Sequence, residues 1–260
     1  MTSFGPGFDI RATHDPLGFA YGPETFGPFP ELRPLDAIRP SLRAPNCDGP
    51  DPVYAIAMDV GKVSDQLEFR RRNMLYGAVS YAAGRLGDEP VRSQGHVHRE
   101  SSHSGWSPPE VYEIWSGEAF VYMQEYAADD PGRCFAIHAR RGDIVIVPPG
   151  WAHATISASI HSPVSFGALC DREYGFLYDE VRKRKGLAWY ALIDAKQHIR
   201  WERNPHYDSP ELEVRRPTDY SEFGFSGKQP LYSQVTQDFD RFQWISSPGL
   251  VANLWQGFCP

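Results

Sequence analysis

Between His96 and His153 the chain carries a pattern that a small β-barrel holds most economically. It begins Gly95-His96-Val97-His98 and passes through Pro109-Glu110-Val111-Tyr112-Glu113-Ile114-Trp115. It closes with Gly142-Asp143-Ile144-Val145-Ile146-Val147-Pro148-Pro149-Gly150-Trp151-Ala152-His153. Side chains at i and i+2 of a strand share a face, about 7 Å apart along the backbone. His96 with His98, and Glu110 with Tyr112, are therefore expected as two inward-facing pairs on neighbouring strands. Gly117 supplies the turn after the second. The Pro148-Pro149-Gly150 turn re-aims the chain and delivers His153 from a third strand, 151–156. Three imidazoles and one carboxylate then converge on a divalent metal. A nitrogen–oxygen shell without thiolate suits iron(II), manganese(II), nickel(II) or zinc(II) better than magnesium or calcium.

Blander readings stand beside this one. A lone His-x-His is often a solvated strand pair, and metal becomes the preferred reading only with Glu110, Gly117 and the 142–153 block added. His103, five residues after His98, is a substitute ligand, an acid/base, or a solvated loop histidine. His138 and His161 lie outside the blocks and are expected on the surface. Tyr112 is either barrel filling or a site hydroxyl, and Trp151 is read as packing.

The rest of the chain divides into three parts. Residues 1–50 are rich in Pro and Gly, with Phe4, Phe8, Phe19, Phe26 and Phe29 set among the breakers. A disordered tail holds fewer aromatics, so this reads as an extended arm packed on the barrel or on a dimer partner, with a short helix in 31–39. Residues 51–204 read as the barrel. Its strands are expected at 53–58, 73–82, 90–98, 110–115, 119–126, 135–139, 144–147, 152–157 and 164–169, with a polar loop at 99–108. A short helix at 179–185 and a closing hairpin of 189–193 with 198–201 follow. Many short strands with regular turns indicate a sandwich or barrel. Residues 205–260 form a C-terminal extension, opening on a linker punctuated by Pro205, Pro210 and Pro217, with a short helix at 238–244.

The motifs resemble the cupin signatures. Gly142, Pro148, Gly150 and His153 match the second cupin motif at every spacing, with Ser157 in place of its final Asn. His96, His98, Glu110 and Gly117 match the first, with a longer gap after His98 and Pro90 in place of the leading Gly. Ser93-Gln94-Gly95-His96-Val97-His98, Pro109-Glu110-Val111-Tyr112, 147–153 and Glu173-Tyr174-Gly175 together resemble the cupin-type glucose-6-phosphate isomerase family over about residues 30–201. That resemblance implies an all-β double-stranded β-helix, or jelly-roll, fold. It implies one divalent metal per chain on His96, His98, Glu110 and His153, with iron(II) the first candidate. It also implies interconversion of glucose 6-phosphate and fructose 6-phosphate, and a homodimer. Glu110 and Tyr112 become the expected proton-handling pair. Ser93, Gly95 and Tyr174 become the expected phosphate donors. A family threonine on the preceding strand falls at Val79, or at Ser80 after a one-residue shift that would flip the face. Other cupin chemistries stay open: an isomerase or epimerase of another sugar, an iron(II) dioxygenase, or a non-catalytic sugar-binding barrel.

Composition excludes more than it selects. The net charge of −7 leaves no basic footprint for nucleic acid. No apolar run approaches a membrane span, and no leader pattern opens the chain. Cys47, Cys134, Cys170 and Cys259 show no C-x-x-C spacing, so reduced thiols and a cytoplasmic location are expected.

Overall fold

Strand alternation sets the architecture. In the computed structural model, which describes residues 5–208, 211–227 and 229–260, two sheets face one another. Phe4 and Pro210 lie outside the described residues. The larger sheet runs, in hydrogen-bonded order, Ile144–Val147, Glu110–Ser116, Val164–Asp171, Met74–Tyr81, Tyr54–Met58 and Glu31–Arg33. The smaller runs Ala152–Ser157, Glu118–Gln124, Cys134–Arg140 and Leu212–Arg215, the last pair parallel. This is the all-β jelly-roll barrel that the motifs imply. Among the described residues no helix is long and apolar enough to cross a membrane.

The inner faces interdigitate. Val79, Tyr81, Ile114 and Phe166 of the larger sheet meet Val121, Met123, Phe135 and Ile137 of the smaller. Both outer faces are covered too, which is why Met74–Tyr81 is buried at every position. Tyr76, Ala78, Val111 and Trp115 of the larger sheet lie under Phe8, from the N-terminal segment, and under Leu231, Tyr232, Phe242 and Trp244 from the C-terminal one. Gly167 makes room there, since a Cβ at that position would stand 2.2 Å from the Tyr76 hydroxyl. Phe120, Tyr122 and Ile156 of the smaller sheet are covered by Leu187 and by a hairpin of Trp189–Ile193 and Ile199–Arg203.

One carboxylate sits inside the outer layer. Glu113 is fully buried and accepts hydrogen bonds from the Leu231 backbone N–H at 2.6 Å and the Trp115 indole at 3.2 Å. Burial pushes its carboxyl up to about 8, from an ordinary 4.5. The folded state therefore holds the proton more tightly than the unfolded chain. Stability from this group is complete below about pH 4.5 and declines as the pH rises toward 8, by at most ~1.4 kcal/mol per pH unit. Glu113→Gln keeps an acceptor for Leu231 and should flatten that decline in urea unfolding between pH 5 and pH 8. Identical slopes in the two proteins would exclude the coupling.

Four local expectations are corrected. Residues 90–98 do not form one strand: Pro90 ends a two-residue strand, Arg92 and His96 make single bridges to Ile156 and His153, and Val97–His98 pairs with Phe176–Leu177. Proline lacks the donor that a continuing ladder needs, and Gly95 turns the chain at φ +86°. In 31–39 the first three residues are a strand and only Leu35–Ile38 is α-helical, because Pro34 holds Arg33 extended. The N-terminal arm contains a hairpin, Ile10–His14 with Leu17–Tyr21. In the C-terminal extension the α-helix is Leu231–Gln237, and the short helix expected at 238–244 is the 3₁₀ segment Asp240–Ile245.

Candidate metal centre

Four side chains meet between the sheets at one end of the barrel. His96, His98, Glu110 and His153 offer ligand atoms that all lie within 4.8 Å of one another. Glu110 begins the Glu110–Ser116 strand, paired on one side with Val147 and on the other with Cys170. His153 is brought beside it by the strand that follows the Pro-Pro-Gly turn, where Gly150 takes φ +79°. Reciprocal backbone bonds between His96 and His153, at 3.1 and 2.9 Å, fix those two residues side by side.

Hydrogen bonds orient the rings. The Nδ1 atoms of His98 and His153 face the Pro108 and Trp151 carbonyls at 2.9 and 3.0 Å. A carbonyl only accepts, so each Nδ1 carries the hydrogen and each Nε2 presents its lone pair to the cluster. Glu110 Oε2 lies 3.2 Å from His98 Nε2 and 3.3 Å from His153 Nε2, and accepts the Tyr112 hydroxyl at 2.6 Å. The Nε2 atoms of His96 and His98 are buried with no hydrogen-bond partner among the described residues. Orphaned buried imidazole nitrogens around a shared carboxylate fit a divalent cation.

The electrostatics agree with that fit. Burial, reinforced by the neighbouring His153 and His98, holds His96 well below its ordinary value. Burial also lowers His153. For His98 burial pulls downward, but the Glu110 carboxylate outweighs it and raises the group. Burial alone would raise Glu110; the neighbouring His153 and His98 overcome it and hold the carboxyl well below its usual range. Neutral His96 and His153 and an ionised Glu110 are ligand forms, and a cation at the cluster would displace the proton that Glu110 favours on His98.

The loop 99–108 braces the centre. The Ser107 hydroxyl donates to the His98 carbonyl at 2.7 Å and accepts the Gly150 N–H at 3.1 Å. Glu173 accepts from the Ser102 hydroxyl and from the His103 N–H, the latter at 3.2 Å. His103 itself is exposed and outside the four-residue group.

A cavity of about 520 Å³, counting its open mouth, reaches the cluster; its walls include His96, Glu110 and Tyr112. Of the expected phosphate donors, Ser93 lines the cavity. Ser80 does not. Val79 and Tyr81 take the cavity face of their strand, and the Ser80 hydroxyl lies on the other side, 3.4 Å from His14 Nδ1. Tyr174 stands outside the walls, with its ring 5.4 Å from that of Phe176, which does line them. Gly95 shapes the backbone between Gln94 and His96; a Cβ there would crowd Leu187 at 3.1 Å. Arg33, Tyr54, Gln94 and Tyr178 also line the cavity and were missed in the sequence. The first two belong to segments far from the motifs, Gln94 falls at an unspecified motif position, and Tyr178 lies three residues past the last motif.

A model of the family described as Glucose-6-phosphate isomerase (GPI) matches residues 30–209. A curated glucose-6-phosphate isomerase of Sinorhizobium medicae is 28% identical over 127 residues, 49% of this chain and 55% of that protein. One of Thermococcus gammatolerans is 25% identical over 140 residues, 54% of this chain and 68% of that protein. The matched part thus spans little more than half the length of the first of these relatives. Among solved structures, an oxalate decarboxylase of Bacillus subtilis is 14% identical, covers 61% of this chain and 33% of that one, and has a TM-score of 0.37.

Proposed function

We propose, for a chain that belongs to the glucose-6-phosphate isomerase family, that it interconverts glucose 6-phosphate and fructose 6-phosphate with one divalent metal held by His96, His98, Glu110 and His153. The observation that carries this reading is the convergence of those four residues, two of which, His96 and Glu110, line one cavity together with Tyr112.

Aldose–ketose isomerisation moves a hydrogen between C1 and C2 and a proton between O1 and O2. A bound metal would supply Lewis acidity toward the two sugar oxygens. Iron(II) is the first candidate, with manganese(II), nickel(II) or zinc(II) as alternatives. The chain's own part is proton handling. Glu110 Oε2 already receives the Tyr112 hydroxyl, so the pair can accept a proton at the carboxylate and return one from the phenol. The surrounding imidazoles hold that carboxylate ionised, in the form that can accept a proton. Ser93 marks the wall toward which the substrate's far end would point.

The remaining expectations join this proposal. A cytoplasmic location is supported by four free cysteines. A homodimer is supported by the family resemblance. Strand Glu31–Arg33 is an outer strand of the larger sheet, with Phe29 99% exposed beside it and Leu32 49% exposed, and open apolar edges invite pairing. Sedimentation as a single chain at micromolar concentration would remove the dimer.

The direct test is a coupled assay with fructose 6-phosphate on metal-stripped protein, with iron(II), manganese(II), nickel(II) and zinc(II) restored one at a time. Turnover is expected only with metal present and without oxygen uptake. Metal binding with no turnover under any of the four would discard the isomerase reading, and oxygen consumption would replace it with oxygenase chemistry.

A further inference from the structure

Two polar side chains on the cavity wall each carry a donor atom with no hydrogen-bond partner among the described residues, and neither belongs to the metal centre. Gln94 is 1% exposed, and its Nε2 has no hydrogen-bond partner. Its Oε1 accepts from Arg182 Nε at 2.9 Å. Arginine only donates, so the amide cannot be turned round and its NH₂ must stay on the other side. Arg33 also lines the cavity, and its Nε is buried without a partner. The guanidinium carbon lies 5.9 Å from the Tyr54 ring centroid, and one amino group pairs with Glu31 at 2.8 Å. Glu31 is the surface partner of that pair, with its side chain 65% exposed against 17% for Arg33.

The strand at Met74–Tyr81 offers no competing donor. It gives the cavity Val79 and Tyr81; the Tyr81 hydroxyl donates to the Thr155 carbonyl at 3.1 Å, and Ser80 faces away. Arg182 adds a second positive charge behind Gln94, with its guanidinium carbon 4.8 Å from the ring centroid of Tyr178, another wall residue.

We infer that Arg33 and Gln94 form the anion-reading end of this cavity and select a substrate with a phosphate at its far terminus. This rests on the proposed isomerase reading for the identity of the substrate, though not for the anion site itself. An arginine fork and an amide supply several aligned donors to phosphate oxygens, and the guanidinium supplies charge that a hydroxyl cannot. Glu31 competes for the same guanidinium, so it sets how tightly the anion is held.

The test is calorimetric titration of the metal-loaded protein with fructose 6-phosphate, inorganic phosphate and fructose, alongside turnover. Arg33→Gln should weaken fructose 6-phosphate and phosphate binding roughly 10- to 100-fold, the span of a charged hydrogen-bonded contact. Fructose binding should hardly change, and kcat/KM for fructose 6-phosphate should fall with the anion affinity. Gln94→Leu should weaken both anions about 3- to 10-fold. Arg33→Lys should recover part of the loss, and Glu31→Gln should tighten both anions. Unchanged phosphate and fructose 6-phosphate binding in both Arg33→Gln and Gln94→Leu, with melting curves intact, would overturn the inference even if turnover persists. Loss of anion binding in Arg33→Gln from a protein that never isomerises the sugar would uphold the anion site and discard only the isomerase reading.

Discussion

Glu110→Gln is expected to abolish turnover, with kcat falling between about 10²- and 10⁴-fold, the span of a positioned general acid/base. The reason lies in how many neighbours share one oxygen. Glu110 Oε2 faces two imidazoles and one phenol, at 3.2, 3.3 and 2.6 Å. An amide brings either a neutral oxygen or an NH₂ to that point. The oxygen is a poorer ligand and base, and the NH₂ opposes the Tyr112 donor and the metal together. Metal content after dialysis should fall with activity. A variant that keeps near wild-type rate at unchanged metal content would remove Glu110 from the chemistry. Tyr112→Phe isolates the smaller share, since it deletes one donor and leaves the four ligand side chains in place.

Arg92→Leu should cost about 3–5 kcal/mol of folding stability, the usual cost of breaking a buried ion pair from one side. The Arg92 and Glu89 side chains are 6% and 0% exposed and meet at 2.7 Å. Arg92 also donates to the Ser41 carbonyl at 2.6 Å and to the Ser93 carbonyl at 2.9 Å, while Glu89 accepts the Arg43 N–H at 2.8 Å. The pair therefore ties the segment at 41–43 to the strip that leads into Ser93 and His96. Leucine would leave a buried carboxylate with one backbone partner and two carbonyls without their donor. The double variant Glu89→Leu/Arg92→Leu should recover much of the loss, because it removes the isolated charge. Chemical denaturation of the single and double variants measures both numbers. A single variant within about 0.5 kcal/mol of the wild type, the usual range for surface changes, would show the pair to be inert.

The metal-site candidates were legible because their signals are local. Strand alternation put His96 beside His98 and Glu110 beside Tyr112, and a Pro-Pro-Gly turn announced a change of direction before His153. Those are statements about neighbours a few residues apart, and backbone geometry makes them without reference to the rest of the fold. A sandwich or barrel was legible for the same reason, from many short runs with turns between them, and the family resemblance narrowed it to a jelly-roll. Alternation by itself also showed that Val79 and Ser80 cannot share a face, but which of the two meets the cavity waited on what covers the strand. The N-terminal hairpin brings His14 to Ser80, so the hydroxyl is spent there.

Pairings made across long stretches of chain were decided by the tertiary structure alone. Arg33 reaches the cavity because its strand is registered against Tyr54, and Gln94 is oriented by Arg182, 88 positions away. The C-terminal aromatics, spaced for no clear period, bury the back of the larger sheet and make Glu113 an interior residue. Short-range periodicity decides which face a side chain occupies. Only packing decides what that face meets, because burial and hydrogen bonding depend on partners that the local sequence does not contain.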